Sequence, residues 1–444
     1  MLQSSTTSLD RLNRRNAWRV LPLLVAGYVL NTLDKGNIGF ASLEMNKDLG
    51  LSDEAFGLGA GLFFITYTLF EIPSNLLLRR IGARPWLSRI LISWGLASMA
   101  MALTAGQTSF YALRLLLGIA EAGCYPGVIF YLSLWFPKEF KARAVMLFFL
   151  GAPISAVLGA PLSGALLDLP PLLGLKGWQW LFIVEGLPSV LLGLFALRAL
   201  KNGPADAGWM DEHEKQALAV ALERDQAQAE APPHIPLAKS YAARLGLFSA
   251  TNFANALGFY STFIWIPRMA KQLGGFTNFE TGIVVALPYL FGALALFACA
   301  WSSDRRRERK WHSVAMLALG AIAMGLIALG PSPLADMLLL TLSVMGAIGV
   351  QGTLFAMFSE GLRDANPSPA AFAAGLATIT TVGNLGGFAG PILIGALLGR
   401  GGGPSAVMLL IAAAFAIAGI LVAVARPSAL GPIRTSPSPV LSQG

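Results

Sequence analysis

Residues 18–42 form an apolar stretch that carries two charges, WRVLPLLVAGYVLNTLDKGNIGFAS. About 20 such residues in a helix span the hydrocarbon core of a bilayer, so the stretch is long enough for one membrane crossing. A charged side chain inside a membrane helix costs at least ~2.5 kcal/mol unless water or a partner compensates it. Asp34 and Lys35 therefore make this crossing a candidate functional segment as well.

The apolar character of this stretch extends over the whole chain. Of the 444 residues, 55% are hydrophobic and 13% are charged, and the mean hydropathy is +0.62. About a quarter of the residues in a soluble domain are charged, so this composition excludes an ordinary soluble enzyme, a disulfide scaffold and a disordered chain. The sequence predicts an all-α membrane protein with twelve transmembrane helices, at residues 18–42, 55–78, 84–105, 108–135, 142–168, 178–200, 241–269, 277–301, 312–331, 334–359, 370–398 and 404–425.

The basic residues are distributed unevenly between the two sides of this bundle. Most of the 32 Lys and Arg residues fall in alternate connections, on the side of the N-terminus. Cytoplasmic loops carry such an excess, so both termini are predicted to be cytoplasmic. The expected location is the bacterial cytoplasmic (inner) membrane, with the lipid bilayer as partner. The net charge of +8 then reflects the basic residues of the cytoplasmic connections, and nucleic acid is not an expected partner.

One long polar interval divides the chain into halves of six predicted spans. Arg79-Arg80 after the second span and Asp304-Arg305 after the eighth span are related charged turns, about half the chain apart. A duplicated six-helix unit is typical of transporters whose site lies between the repeats. The predicted domains are a six-helix half at 1–200, a cytoplasmic linker at 201–240, a second half at 241–425 and a disordered tail at 426–444.

Two cations and two carboxylates fall at similar depths in the N-terminal half. Arg114 and Glu121 share a face of one helix, about 10 Å apart along its axis, and Arg114 falls near the depth of Asp34 and Lys35. Two interpretations are open. The charges form buried salt bridges that join two helices, or Lys35 and Arg114 capture an anion while Asp34 or Glu121 binds a proton.

Other polar residues within the predicted spans have a structural and a functional interpretation. Glu71 and Glu185 are expected to be structural or gating partners, and Tyr67 and Asn384 are either interhelical hydrogen-bond partners or ligands. The chain has no GxGxxG, no GxxxxGK[ST] and no CxxC motif. No cofactor, metal site or enzymatic activity is therefore expected.

Several motifs together resemble one branch of a known family. These segments are 33–41 (LDKGNIGFA), 67–75 (YTLFEIPSN), 114–127 (RLLLGIAEAGCYPG), 135–137 (WFP) and 383–391 (GNLGGFAGP). They resemble the anion:cation symporter branch of the major facilitator superfamily, and the resemblance covers residues 15–425. Within that branch the chain is most similar to the bacterial tartrate, phthalate and hydroxyphenylacetate permeases.

The resemblance implies proton-driven uptake of a small organic carboxylate by alternating access between two pseudo-symmetric halves. Asp34 and Glu121 match the protonatable carboxylates of the family. Lys35 stands where the family usually has Arg, and Lys offers a point charge instead of a bidentate fork. The residues that match substrate-binding positions are Lys35, Arg114, Tyr67 and Asn384. The expected partners are the organic anion and protons, and a monomer is expected.

Departures from the family pattern bear on the substrate and on gating. Thr32 and Ala152 replace a tyrosine and a glutamine of sugar-acid permeases, which favours a less hydroxylated or aromatic carboxylate. Arg79 replaces an acidic residue of the first cytoplasmic loop, whereas Asp304 retains it in the second half. The expected gating or structural residues are Glu71, Glu185, Arg80, Asp304 and Arg305.

Two alternatives to symport remain at the level of the sequence. A proton-antiport exporter of drugs or metabolites is one, because residues 159–164 (GAPLSG) loosely resemble an antiporter motif. A membrane sensor that binds an anion without moving it is the other, although no signalling domain is visible.

Overall fold

The computed structural model describes residues 2–229, 239–330, 332–366 and 368–425. The predicted tail at 426–444 and linker residues 230–238 lie outside this range. Within it the chain is helical and contains no β-sheet. The helices are α1 Leu2–Leu49, α2 Asp53–Ile81, α3 Ala83–Ala100, α4 Gln107–Glu121, α5 Cys124–Trp135, α6 Lys138–Phe149, α7 Gly151–Leu167, α8 Gly177–Ala199, α9 Glu212–Ala229, α10 Lys239–Gly274, α11 Asn278–Arg306, α12 Lys310–Ile327, α13 Pro333–Ala365, α14 Pro369–Gly399 and α15 Pro404–Val424.

The helices confirm the predicted arrangement of twelve membrane crossings. Ten helical segments of the described chain are long and apolar enough to cross a membrane, counting α4 with α5 and α6 with α7 as one crossing each. The remaining two are α1 and α10, the first helices of the N-half (α1–α8) and the C-half (α10–α15). Both are long, but polar residues such as Asn31 and Asn252 interrupt their apolar sequence. Those polar residues are buried within the protein.

The sequence predicted the fourth and fifth spans as continuous helices, but the structure shows a break in each of them. The fourth ends at Glu121 and restarts at Cys124, because Gly123 adopts a left-handed conformation with φ of 83°. The fifth is interrupted at Leu150. Pro153 lies in the first turn of α7, where its missing N–H costs little. The break in the fourth span places the Glu121 carboxylate at the C-terminal end of α4.

The polar interval between the halves contains a helix that the sequence analysis did not predict. Helix α9 packs beside the start of α1, where Arg15 Nη2 lies 2.5 Å from Glu214 Oε2. Asp225 Oδ2 accepts a hydrogen bond of 2.6 Å from the backbone N–H of Lys138, at the first turn of α6. These contacts attach the first part of the linker to the N-half.

The two halves meet mainly near one end of the bundle. We call the end with the Arg-rich connections after α2 and α11 the basic face, and the other end the opposite face. Helix α2 packs on α14, and α7 packs on α11. Gly57 faces the backbone of Pro391, and Gly282 faces the backbone of Ala160. Small residues permit this close approach of helix backbones, so the halves fit tightly toward the opposite face.

A substitution of Gly118 on α4 tests how tightly the helices of the N-half pack. A methyl group at this position would meet the backbone oxygen of Phe63 and the Thr66 hydroxyl on α2. We expect Gly118→Ala to destabilise the protein by about 1–3 kcal/mol through overpacking, measured as a lower melting temperature in detergent. Gly325→Ala is the matched control, because its added methyl group meets no atom within 4 Å. Equal melting temperatures for the two variants would contradict this packing.

Candidate functional site

A small enclosed cavity lies where α1, α2 and α4 of the N-half meet α10 of the C-half. Its volume is about 10 Å³, which is roughly the space that one water molecule requires. The two halves therefore close tightly around it. The lining residues are Asp34, Lys35, Phe63, Phe64, Arg114 and Leu117 from the N-half, and Tyr260, Phe263 and Ile264 from the C-half.

The Lys35 ammonium group joins the first and fourth crossings at this cavity. Its Nζ lies 2.7 Å from Glu121 Oε1, and the Glu121 side chain is fully buried. The same Nζ donates a hydrogen bond of 2.9 Å to Asn31 Oδ1, one turn earlier on α1. It also lies 5.1 Å from the centre of the Tyr67 ring, a cation–π contact. Lys35, Glu121 and Tyr67 are thus brought together.

The Arg114 guanidinium group takes different partners from those expected. The sequence suggested that Arg114 neutralises Asp34 or Glu121. Instead, its Nε and one Nη donate hydrogen bonds of 3.2 Å to the backbone oxygens of Gly59 and Ala60 on α2. Its Cζ lies 5.0 Å from the centre of the Phe63 ring. Close packing through Gly59 and Ala60 exposes these carbonyl groups to the guanidinium, a feature that sequence spacing does not reveal.

Asp34 is buried and is held by neutral groups. Asn37 Nδ2 donates to Asp34 Oδ1 over 3.2 Å, and the Ser98 hydroxyl on α3 donates to the same oxygen. Asp34 Oδ2 makes no hydrogen bond with the described residues. No Lys, Arg or His of the described chain forms an ion pair with Asp34. The sequence analysis allowed two buried salt bridges among these four charges, and the described residues form one, between Lys35 and Glu121.

The C-half wall is aromatic, which the sequence analysis largely missed. The Tyr260 ring lies 4.5 Å from that of Phe64 across the two halves, and Phe263 lines the cavity beside it. Tyr260 and Phe263 lie three residues apart in α10, on one face of the helix, which was the available signal. Asn384 is partly buried on α14 but is not among the residues that line the cavity.

The two remaining N-half carboxylates occupy different surroundings. Glu185 on α8 is 2% exposed, and its Oε1 accepts a hydrogen bond of 2.7 Å from Ser163 Oγ on α7. Glu71 was expected near the basic cluster after α2. It forms no ion pair with the described residues, and its backbone oxygen accepts a hydrogen bond of 2.8 Å from Asn75 Nδ2. Glu71 is half-buried and is not among the residues that line the cavity.

The charged turn after α11, on the basic face, forms its contacts within the C-half. Asp304 pairs with Arg309, and Arg309 Nε lies 3.2 Å from Glu360 Oε1 on α13. Arg305 packs over the Trp301 ring at 5.5 Å, so it is not the partner of Asp304. Arg80 is exposed.

Ion pairs and hydrogen bonds that join the halves lie on the opposite face, as far as the described residues show. Asp53 at the start of α2 pairs with Arg268 on α10, and Nη2 of Arg268 donates to Oδ2 of Asp53 over 3.2 Å. Asp168 accepts hydrogen bonds from the backbone N–H groups of Asn278 and Phe279, at 3.2 and 2.8 Å. These contacts close the opposite face above the cavity.

This fold and site correspond to a known family of membrane transporters. The model of the Major Facilitator Superfamily matches residues 24–391. The chain therefore belongs to the major facilitator superfamily, whose members are transporters and not enzymes, and the predicted resemblance is confirmed.

Relatives that share much of the sequence carry names of transporters. A protein of Agrobacterium vitis named "Putative tartrate transporter" is 42% identical over 87% of this chain and 84% of its own length. The "Quinolone resistance transporter" of Acinetobacter baumannii is 40% identical over 86% of this chain and 88% of its own.

Solved structures share the fold at low sequence identity. A bacterial homologue of the human lysosomal transporter Spinster, in an inward-facing and occupied conformation, matches with a TM-score of 0.71 at 17% identity, over 91% of this chain and 95% of its own. A D-xylose–proton symporter matches with a TM-score of 0.68 at 14% identity, over 93% and 98%.

The buried ion pair provides a test of the site by stability alone. Removing one partner of a buried pair typically costs about 3–5 kcal/mol, whereas neutral replacement of both is nearly neutral. We expect Lys35→Met to lower the melting temperature in detergent, and the double variant Lys35→Met with Glu121→Gln to recover most of the loss. Purely additive effects of the two substitutions would show that the pair is not coupled.

Proposed function

We propose that this protein is a proton-coupled symporter that takes up a small organic carboxylate by alternating access. The observation that carries the proposal is the Lys35–Glu121 ion pair of 2.7 Å, at the cavity where the two halves meet. It places a cation that an anion can bind beside a carboxylate that a proton can neutralise. The name of the Agrobacterium vitis relative supports a carboxylate as the transported anion.

Coupling follows from competition for the lysine. A carboxylate that enters the cavity binds Lys35 and leaves Glu121 without its cation. An uncompensated carboxylate is costly inside a membrane, so Glu121 then takes up a proton. Proton and anion therefore bind cooperatively, and thermodynamic linkage makes the coupling reciprocal. With both bound, the cavity carries less uncompensated charge while the halves reorient.

Arg114 supplies the second cation for the anion. A guanidinium group carries five N–H donors, and hydrogen bonds to the backbone oxygens of Gly59 and Ala60 involve Nε and one Nη. The remaining donors serve to hold a carboxylate. Held by α2, Arg114 has a fixed position, whereas Lys35 moves its charge from Glu121 to the substrate.

The walls of the cavity bear on the substrate. Phe63, Phe64 and Phe263 add apolar aromatic surface, and Tyr260 adds one hydroxyl group. Aromatic rings stack on such walls, which favours a phthalate-like or other aromatic acid over a polyhydroxylated one. A tartrate-like substrate remains within the proposed class, with Tyr67 and Asn384 as further polar contacts after the halves rearrange.

The orientation of the protein in the membrane is part of the proposal. We assign the basic face to the cytoplasm on the positive-inside rule, in a bacterial inner membrane, with both termini cytoplasmic and the protein acting as a monomer. The Asp53–Arg268 pair then closes the periplasmic side. The unit of movement is each six-helix half, and α9 of the cytoplasmic linker moves with the N-half.

Export by proton antiport is a second candidate. The observation in its favour is the 40% identity to the quinolone resistance transporter of Acinetobacter baumannii. Lys35 can exchange its partner between Glu121 and an organic anion whether the anion is taken up or exported. The direction of proton movement distinguishes the two functions.

The substrate and the direction of coupling are measured together in proteoliposomes that contain a pH-sensitive dye. Tartrate, phthalate, hydroxyphenylacetate and galactonate are added separately outside, and the lumenal pH is recorded. Acidification with any one of them supports symport and identifies its class. Lumenal alkalinisation or quinolone efflux, without acidification by any of the four, would replace symport by antiport.

Glu121→Gln separates coupling from binding. The amide retains the shape of the side chain but cannot bind a proton, so we expect loss of concentrative uptake with exchange of pre-loaded substrate retained. Asp336→Asn is the matched control, because Asp336 is another buried carboxylate, far along the chain on α13, and it is expected to leave uptake unchanged. Concentrative uptake by Glu121→Gln would contradict the role of Glu121.

Arg268→Gln tests the contact that closes the opposite face. Loss of the ion pair to Asp53 is expected to favour the outward-open state and to expose the cavity. A cysteine introduced by Tyr260→Cys, with Cys124→Ser and Cys299→Ser as background, should react faster with an impermeant maleimide added outside. Lys176→Gln is the control, because Lys176 pairs over 2.7 Å with Asp48 of the same half. Equal labelling rates in both variants would contradict a closing role.

A further inference from the structure

A second cavity lies on the opposite face, beside the contact between Asp53 and Arg268. We call it the outer cavity, and the cavity beside Lys35 the central cavity. The volume of the outer cavity is about 220 Å³. A cavity of about 150 Å³ in a protein interior is large enough to bind benzene. The outer cavity can therefore hold a carboxylate with one aromatic ring, which the central cavity in this state cannot.

The outer cavity extends from the protein surface toward the central cavity. Gln272 lines it near the end of α10 and is exposed, whereas Trp265 lines it and is 3% exposed. These two residues are seven positions apart on α10, about 10 Å along the helix axis. Ile264, the residue before Trp265, lines the central cavity. The inner end of the outer cavity is therefore one residue along α10 from the central cavity.

Arg268 gives the outer cavity a cation that water can reach. Its side chain is 32% exposed, and that of Asp53 is 27% exposed. Both Nη1 and Nη2 of Arg268 donate to the Asp53 carboxylate. A guanidinium group binds the carboxylate of a ligand with the same bidentate geometry. The carboxylate of a substrate can therefore take the place of Asp53.

Release of Asp53 from Arg268 leaves its charge in a favourable position. Asp53 is the first residue of α2 and follows the N-cap residue Ser52. The N-terminus of a helix carries partial positive charge, which stabilises a carboxylate there, and the partial exposure of Asp53 adds contact with water. An ion pair between partly exposed side chains is also weak. Exchange of carboxylates at Arg268 therefore leaves no buried charge without a partner.

The walls of the outer cavity suit an anion with an apolar body. The Trp265 ring centre lies 5.3 Å from Arg268 Cζ, and Trp265 Nε1 is buried without a hydrogen bond to the described residues. A buried N–H group without an acceptor is unfavourable, and a carboxylate bound at Arg268 brings acceptor oxygens beside this ring. Met269 and Val407 add buried apolar surface.

We propose that the outer cavity is a capture site for the transported carboxylate, in which the anion binds Arg268 in place of Asp53. Of the described residues that line this cavity, Asp53 alone belongs to the N-half. Binding of the anion therefore breaks the ion pair between the halves and favours their separation on this face. The anion then passes Trp265 to reach Lys35. This inference rests on the proposed uptake function, because it places the site on the face from which the substrate arrives.

Protection of a cysteine at the outer cavity tests anion binding without transport. Gln272→Cys, with Cys124→Ser and Cys299→Ser as background, is labelled with a maleimide in the purified protein. Hydroxyphenylacetate or phthalate at about ten times its dissociation constant should slow labelling about tenfold, whereas phenylacetamide, which has no carboxylate, should not. Thr108→Cys is the control, because Thr108 is exposed at the start of α4 and does not line the cavity. Absence of protection by both anions would overturn the proposal.

Two substitutions with opposite expected effects test the exchange at Arg268. Arg268→Gln removes the cation, so protection of the cysteine should be lost. Asp53→Asn removes the competing carboxylate, so half-protection should require an anion concentration about two- to fivefold lower, the effect of one partly exposed ion pair. Protection retained in Arg268→Gln, or an unchanged anion concentration for half-protection in Asp53→Asn, would overturn the proposal.

A variant of the central cavity distinguishes the two sites. Lys35→Met with Glu121→Gln removes the central ion pair as a whole, and neither residue lines the outer cavity. Protection should persist in this variant. Its disappearance would place the anion in the central cavity and overturn the capture site. Protection in a wild-type protein that moves no protons in proteoliposomes would support the capture site and overturn symport.

Discussion

The ion pair between Lys35 and Glu121 is the interaction on which the arrangement of the site depends. Its carboxylate is fully buried, so water is not an alternative partner for that charge. The pair therefore holds the first and fourth crossings together, directly before the break that Gly123 makes in the fourth crossing. An interaction of this kind is stable only while both partners stay charged and paired. An anion that competes for the lysine therefore changes the protonation of the glutamate.

Closure of the halves follows from a different feature, the small residues on α2, α7, α11 and α14. They bring backbone against backbone toward the opposite face, and the Asp53–Arg268 pair lies at the end of that surface. The cavity of about 10 Å³ is too small for a carboxylate with several carbon atoms. Substrate therefore enters only after the halves separate. Because Lys35 lies on α1, which packs against α10 of the other half, this separation also opens the way to the ion pair.

The sequence was sufficient for the twelve crossings because their apolar length and the alternation of basic connections are local properties. It also located Asp34, Lys35, Arg114 and Glu121, since charges stand out in apolar segments. The partners of these charges depend on helix rotation and on contacts between distant segments, which periodicity does not determine. Arg114 therefore binds backbone oxygens instead of Asp34. Asn37 and Ser98, ordinary polar residues in the sequence, were missed for the same reason.

The central claim is that anion and proton bind together, and calorimetry tests it most directly. Binding of a transported carboxylate to the purified protein is measured at one pH in two buffers with different ionisation enthalpies. The difference in the observed binding enthalpies gives the number of protons taken up per anion. Lys35 exchanging between Glu121 and the substrate predicts net proton uptake, which disappears in Glu121→Gln. Binding without proton uptake, or with proton release, would contradict it.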